Sequence, residues 1–266
     1  MTRKPFKLRF LGTGNAWTKP PLNYHTNAFI EVDGRRFLID CGFLCPLALA
    51  RAGLNFDAIE ATFISHLHGD HVMGLEEVCF QSYFCHHKRV SLWLPAHLFS
   101  SYSGIPGADI WDNCLRASLE TYDLCFEPPK LLTFSDYADV ELLFEGQSYD
   151  FAGVEMALTR VEHAPNRPCF GLFIGRRVVF TSDSAFSRER IDRWLSDGAE
   201  VIFHDVSFCH KCGAIHASFN ELATLPREIA ERVILMHYSD EIREDDRKRA
   251  VDLGFRFADV SSDYVF

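Results

Sequence analysis

The chain is short of positive charge. Lysine and arginine together number 27 against 37 aspartates and glutamates, a formal net charge of −10 over 266 residues. A protein that grips long nucleic acid through its phosphates needs a basic face, so this deficit makes long RNA or DNA an unexpected partner. A small phosphorylated substrate stays open, because metals and a few local donors can meet its charge. Long apolar runs are missing too. The opening "MTRKPFKLRFLGTGNAW" reaches glycines and polar residues after a few apolar positions, and no later run approaches the length that crosses a bilayer. The chain is therefore expected in the cytoplasm, neither secreted nor held in a membrane. A disulfide framework is also absent: nine cysteines, odd in number and scattered, suit a reducing compartment. Their one tight cluster, "CHKC" at 209–212, lacks a second cysteine pair at finger-like spacing. A structural metal there stays open, but a metal-free loop is the favoured reading of Cys209, His210 and Cys212. No low-complexity linker or charge block marks a boundary. The length admits one large domain or two small ones, and a single domain over 1–266 is expected.

What is present begins with a core: 47% of the residues are hydrophobic, which disfavours global disorder. "NAFIEVDGRRFLIDCG" reads as two strands around an Asp33-Gly34 turn, a strong hairpin signal. A short helix "CPLALARAGL" then leads to the strand "IEATFIS". Later strands read as "YDFAGVEMALTRVEH", "CFGLFIGRRVVFTSDS", "AEVIFHD" and "RVILMHYS". A helix "SRERIDRWLSDG" ends near Gly198, and the charged run "EIREDDRKRA" is a solvated helix face. Strands alternating with helices suit sheets covered on their outer faces by helices. Segment 79–137, rich in aromatics, is the hardest to assign, with "SLWLPAHLF" resembling a strand followed by a helix start.

The chemistry concentrates in "HLHGDH". His66, His68, Asp70 and His71 fall within six positions directly behind an apolar strand, in a loop expected to run into a helix near Val72. A loop can turn neighbouring side chains toward one point, which a strand with alternating faces cannot. Imidazole nitrogen and carboxylate oxygen are ligands for zinc and similar metals. His163, Asp183 and His237 each stand where another apolar strand stops, so strand ends gathered at one edge would bring them to the cluster. "GAIHASFNELATLP" adds His216, two residues before Ser218, which forms an S-x-x-E capping pattern with Glu221. That helix start is expected to offer backbone N–H groups to an anion.

"HLHGDH", with His163, Asp183 and His237 in order behind it, resembles the H-x-H-x-D-H signature and ligand order of the metallo-β-lactamase superfamily. "FLGTGNA" and "FLIDCG" are similar to segments of its ribonuclease Z and phosphodiesterase branch. The resemblance covers nearly the whole chain and implies an α/β fold, the four-layer αββα sandwich. It also implies two divalent metal ions, most often zinc, with manganese or iron in some relatives. His66, His68 and His163 would hold one ion and Asp70, His71 and His237 the other, with Asp183 bridging. Two ions about 3.5–4 Å apart activate a bridging hydroxide and clamp the oxygens of a phosphate ester. By the same resemblance His216 donates a proton to the leaving oxygen, Asp205 orients His216, and Asp70 helps place the nucleophile. His204 is read as a buried non-ligand. His25, His86, His87, His97 and His210 receive no role.

Departures from the branch narrow the reading. The bridging aspartate sits in "TSDS" where Gly-Asp-Thr is usual, and the basic arm that holds transfer RNA has no counterpart. Segment 79–137 is instead expected to be an insertion that covers the site. The leading expectation is a metal-dependent hydrolase, a phosphodiesterase for a small or cyclic nucleotide. Alternatives are a lactone or thioester hydrolase on the same site, ribonuclease Z-like RNA processing, and a non-catalytic metal-binding scaffold. Homodimers are common among relatives, which makes a second copy a partner by analogy only.

Overall fold

The computed structural model describes residues 4–96, 110–165, 167–209 and 215–266. In chain order the strands are β1 (Lys7–Gly12), β2 (Asn27–Val32), β3 (Arg35–Ile39), β4 (Ala61–Phe63), β5 (Val90–Pro95), β6 (Tyr122–Asp123), β7 (Lys130–Leu131) and β8 (Ala138–Leu143). They continue as β9 (Ser148–Phe151), β10 (Val154–Val161), β11 (Cys169–Ile174), β12 (Val178–Phe180), β13 (Val201–Asp205), β14 (Val233–Met236), β15 (Arg256–Phe257) and β16 (Asp263–Val265). Two seven-stranded sheets result, ordered β16-β1-β2-β3-β4-β5-β8 and β15-β14-β13-β12-β11-β10-β9, and β6 pairs with β7 as a small ribbon.

Each sheet is antiparallel in one half and parallel in the other. The hairpin turn is at Asp33-Gly34, where both residues have positive φ, 50° and 80°, as a two-residue turn matched to strand twist requires. From β3 onward the first sheet is parallel, and from β12 onward so is the second. Parallel strands buried on both faces read as continuous apolar runs rather than alternating ones. β14 is such a run, "VILM". Ile234 and Met236 join the core between the sheets, while Val233 and Leu235 join a second cluster under the outer helices with Ile191, Trp194 and Ala250. Across the sheet interface Phe10 lies 5.3 Å from Phe203 and 5.9 Å from Phe180, ring to ring. With helices Cys45–Arg51 and Leu75–Phe80 against the first sheet and Arg188–Ser196 and Glu244–Asp252 against the second, the fold is the αββα sandwich.

Two local readings change. Within 79–137, Val90–Pro95 is an inner strand of the first sheet, flanked by β4 and β8, and 97–109, which include His97, lie outside the described residues. The helix behind the signature begins at Gly69, not near Val72, so Asp70 and His71 ride its first turn. That turn is pressed against the strand end of β3. A Cβ added at Gly42 would lie 1.9 Å from the Asp70 carbonyl oxygen, and one at Gly74 would lie 2.3 Å from that of Gly42. Only hydrogen fits at both positions. Among the described residues no helix is long and apolar enough to cross a membrane.

Candidate metal centre

The strand ends of β3, β4, β10, β12, β13 and β14 meet at one edge, the carboxyl end of the parallel strands, where open α/β sheets leave room for ligands. Three residues there turn the chain off its strand with left-handed backbone: Asp40 (φ 62°), Ser182 (φ 55°) and His237 (φ 59°). A side chain other than glycine costs on the order of 1 kcal/mol or more there and persists only where surroundings hold it. For Asp40 those surroundings are visible. Its buried carboxylate accepts from Ser65 N (2.7 Å), Ser65 Oγ (2.8 Å), His71 Nδ1 (2.7 Å) and Ser182 Oγ (3.1 Å).

Hydrogen bonds fix which nitrogen of three of the imidazoles faces inward. Nδ1 of His71 donates to Asp40, and Nδ1 of His163 donates to the Ile215 carbonyl at 2.7 Å. Nδ1 of His66 contacts Ser65 Oγ at 3.0 Å. The remaining nitrogens converge. His68 Nδ1 lies 3.0 Å from His66 Nε2 and 3.1 Å from His163 Nε2. Asp183 Oδ2 completes that group at 3.8 Å from His66 and 3.6 Å from His163. The other Asp183 oxygen, Oδ1, lies 3.1 Å from His71 Nε2 and 3.3 Å from His237 Nδ1. Asp70 Oδ2 lies 3.3 Å from His71 Nε2 and 3.8 Å from His237 Nε2. The two clusters therefore share Asp183, one oxygen in each.

The donor set fits a metal. A tetrahedral ion about 2.0–2.1 Å from each ligand atom spaces those atoms about 3.3 Å apart, the middle of the spread found here. His71 Nε2, Asp183 Oδ1 and His237 Nδ1 are buried without a hydrogen-bond partner among the described residues, and buried polar atoms are rarely left so. Protonation tendencies agree for most members. Burial, and then the neighbouring His71, hold His66 well below the ordinary histidine range, and burial lowers His68 and His163. Burial opposes ionisation of Asp183 and Asp70, but the surrounding histidines overcome it and keep both carboxyls low. His71 goes the other way: burial would lower it, yet Asp183, Asp70 and Asp40 raise it well above the usual range.

His216 stands beside this pair of clusters. Its Nδ1 donates to Asp205 Oδ2 at 2.7 Å and lies 3.9 Å from Asp183 Oδ2. Asp205 is fully buried and also accepts from the Ser184 amide at 2.9 Å. Burial disfavours the charged imidazole, but the two carboxylates outweigh it and lift His216 to about 9. A cavity of about 550 Å³ opens over these groups, lined among others by His68, Asp70, Asp183, His216 and His237. That volume is ordinary for a small-molecule site.

The expected anion site at Ser218 is not found. The helix Phe219–Leu222 is a single turn, and its amides are occupied: Ser218 N by Glu221 Oε2 (3.1 Å), Phe219 N by Ser207 O (2.9 Å) and Asn220 N by Ser218 Oγ (3.3 Å). His204 lies apart, buried, its Nδ1 donating to the Asp205 carbonyl at 2.7 Å and its basicity lowered by burial. His86 pairs with Asp57 at the surface (3.0 Å), and His87 is exposed. His210 and Cys212 lie outside the described residues; Cys209 is disulfide-bonded and seven other cysteines are free. Two residues beside the site carried no role in the sequence reading. Asp40 ends the apolar run "FLID", the same signal that marked Asp183 and His237. His25 is buried, and burial holds it down at about 4 despite the pull of Asp70; nothing in the sequence around it distinguished it.

Comparison with known proteins agrees with this architecture. The Bacillus subtilis protein YhfI, described as a metallo-β-lactamase fold protein, superposes with a TM-score of 0.70 at 17% identity, over 98% of this chain and 99% of its own. Human tRNase Z, short form, gives 0.61 at 18% identity, over 98% of each chain. The fold is the metallo-β-lactamase fold. Sequence narrows the class further. The family described as "Anti-Pycsar protein Apyc1" matches residues 6–257. A protein of that name from Paenibacillus harenae is 35% identical over 235 residues, covering 88% of this chain and 90% of its own. The chain belongs to the anti-Pycsar Apyc1 family.

Proposed function

We propose that the chain hydrolyses a small phosphodiester, a cyclic nucleotide, at a centre of two divalent ions, with zinc as the expected metal. His66, His68 and His163 would hold one ion, Asp70, His71 and His237 the other, and Asp183 would bridge them. Bound there, such a pair supplies a hydroxide nucleophile at neutral pH and offsets negative charge on phosphate oxygens.

The observation that carries the reading is the His216–Asp205 pair, 2.7 Å apart, opening into the same cavity as both clusters. Opening a cyclic phosphate expels a ribose alkoxide, a poor leaving group that needs a proton as the P–O bond breaks. His216 gives that proton from Nε2, while Asp205 grips Nδ1–H and so holds the ring's tautomer and aim. Asp70 has a second task in orienting the attacking water. The acidic chain and the confined cavity favour a small substrate over a folded RNA. The relatives' name brings a further part of the proposal: this chain too acts against Pycsar, with a cyclic nucleotide as the molecule it removes.

Metal-loaded protein incubated with 3′,5′-cyclic nucleotides, bis-aryl phosphate, pre-tRNA and a lactone panel tests the reading, with His216→Ala and Asp183→Ala as controls. Linear nucleoside monophosphates as the chief products are expected. Preferred turnover of lactones that survives His216→Ala would overturn it.

A further inference from the structure

Trp17 keeps 83% of its surface exposed and lines the cavity over the two clusters. A lone exposed aromatic is unremarkable on a protein surface. This one is set apart by how firmly its backbone is held. Gly14 bridges to His25 on one side and to Tyr238 on the other. Asn15 N donates to the Tyr238 carbonyl at 3.2 Å, and the Trp17 amide to Asn15 Oδ1 at 3.0 Å. Just beyond, Thr18 Oγ1 donates to the Asp240 carboxylate at 2.6 Å, and the Lys19 amide donates to it at 2.9 Å. Tyr238 directly follows His237 in the chain, and Asp240 is two residues further on. The segment carrying Trp17 is thus pinned to the same turn that places a candidate ligand, which fixes the backbone from which the indole reaches the cavity wall.

Among the described residues, the other large aromatic that lines the cavity is already engaged. Phe208 stacks on Phe219 at 4.7 Å and on Phe257 at 6.1 Å, which ties its ring to the core beneath. Trp17 therefore offers the unoccupied flat apolar face at the cavity wall. A nucleotide held by its phosphate at the metal side presents one flat, uncharged, weakly hydrated part, its base. Base–aromatic stacking asks only for a π-face and tolerates any base.

Resting on the cyclic-nucleotide reading above, we propose that Trp17 is the platform on which the substrate's base stacks, a specificity-determining residue that favours base-bearing phosphodiesters over base-free ones. Because the backbone of the platform is held before the substrate arrives, only the indole's own rotamer has to be ordered on binding.

The test compares kcat/KM for a 3′,5′-cyclic nucleotide with that for the base-free analogue, 1-O-methylribose 3′,5′-cyclic phosphate, in metal-loaded wild type, Trp17→Ala and Trp17→Phe. The ratio is expected to fall about tenfold in Trp17→Ala, the size of one lost stacking contact, through KM, and to recover most of the way in Trp17→Phe. Quenching of tryptophan fluorescence by a phosphorothioate analogue of the cyclic nucleotide, expected in wild type and lost in Trp17→Phe, reads binding without turnover. An unchanged ratio in Trp17→Ala, with wild type still opening cyclic nucleotides, would overturn this inference and leave the proposed function standing. So would an unchanged ratio accompanied by a shift in sedimentation, which would make Trp17 an interface residue. A wild type inert on every cyclic nucleotide would remove the proposed substrate, and this inference with it.

Discussion

His66, His71 and His163 each turn one nitrogen inward and use the other to hold the ring's orientation, on Ser65, Asp40 and the Ile215 carbonyl, and these holding partners are as much a part of the site as the candidate ligands. Asp40 illustrates this. It fixes His71 at 2.7 Å while also drawing in Ser65 and Ser182. Replacing it with asparagine keeps the shape but exchanges a charged acceptor for a neutral one, and metal affinity is expected to fall about 10- to 100-fold, read by competition with a chromophoric chelator. Of the serines flanking Asp183 in "TSDS", Ser182 joins this network, its Oγ 2.7 Å from Ser65 Oγ and 3.1 Å from Asp40, whereas Ser184 Oγ donates to the Ala185 carbonyl at 2.9 Å. In the proposed reaction His216 acts on the substrate rather than on a ligand. His216→Ala is expected to lower kcat about 10²- to 10⁴-fold on a substrate with an alkoxide leaving group, and far less on an aryl ester whose acidic phenol departs unaided, with metal content preserved. Equal losses on both substrates would mean that His216 supports the fold of the site and not the proton transfer.

Strands and their exits explain how much of this was legible beforehand. The residues that end apolar runs, His163, Asp183 and His237, stood out because a polar group where a buried strand stops is a local signal, whereas Asp205 was assigned through the resemblance. Asp40 gave the same signal but received no role, because its part is to hold His71, 31 residues away, a contact that the run "FLID" does not contain. His25 gave none: it became part of the surroundings of Asp70 only through the packing of Gly42 and the β2 entry, a contact between distant segments. The amides at Ser218 failed in the opposite direction. A capping pattern identifies a helix start, but whether its N–H groups stay free depends on neighbours such as Ser207 that the pattern does not contain. Backbone proximity also sets the tightest element-level constraint. Gly42→Ala would drive a methyl into the Asp70 carbonyl, 1.9 Å away, and is expected to displace the Gly69–Val72 turn. Metal content measured by elemental analysis should drop sharply while far-UV circular dichroism stays close to wild type; full occupancy would show that the turn can yield.

Two sheets with their parallel halves aligned make a molecule whose core and site share an edge, so loss of the metals and loss of the core should be separable. Phe203, fully buried and in ring contact with Phe10 at 5.3 Å and Tyr264 at 5.0 Å, lies between the sheets. Phe203→Ala is expected to destabilise by about 3–5 kcal/mol, seen as a lower denaturant midpoint with or without metal. Chelation should act differently. It removes a ligand bound only by the folded state, so Tm should fall on adding chelator and return on adding zinc in proportion to its free concentration, and Asp183→Ala should lose most of that response. Alternating strands and helices pointed to sheets covered by helices, and the four-layer sandwich followed from the resemblance carried by "HLHGDH", whereas the place of Val90–Pro95 inside the first sheet was not legible, because its partners β4 and β8 lie on opposite sides of it in sequence. The central claim is that His216, held by Asp205 beside the paired clusters, serves the opening of a small cyclic phosphodiester. Product analysis of metal-loaded wild type and His216→Ala with a 3′,5′-cyclic nucleotide tests it most directly. The account predicts conversion to the linear monophosphate by wild type and at least a hundredfold slower conversion by the variant; a metal-replete wild type that leaves every cyclic nucleotide intact while cleaving lactones or pre-tRNA would contradict it.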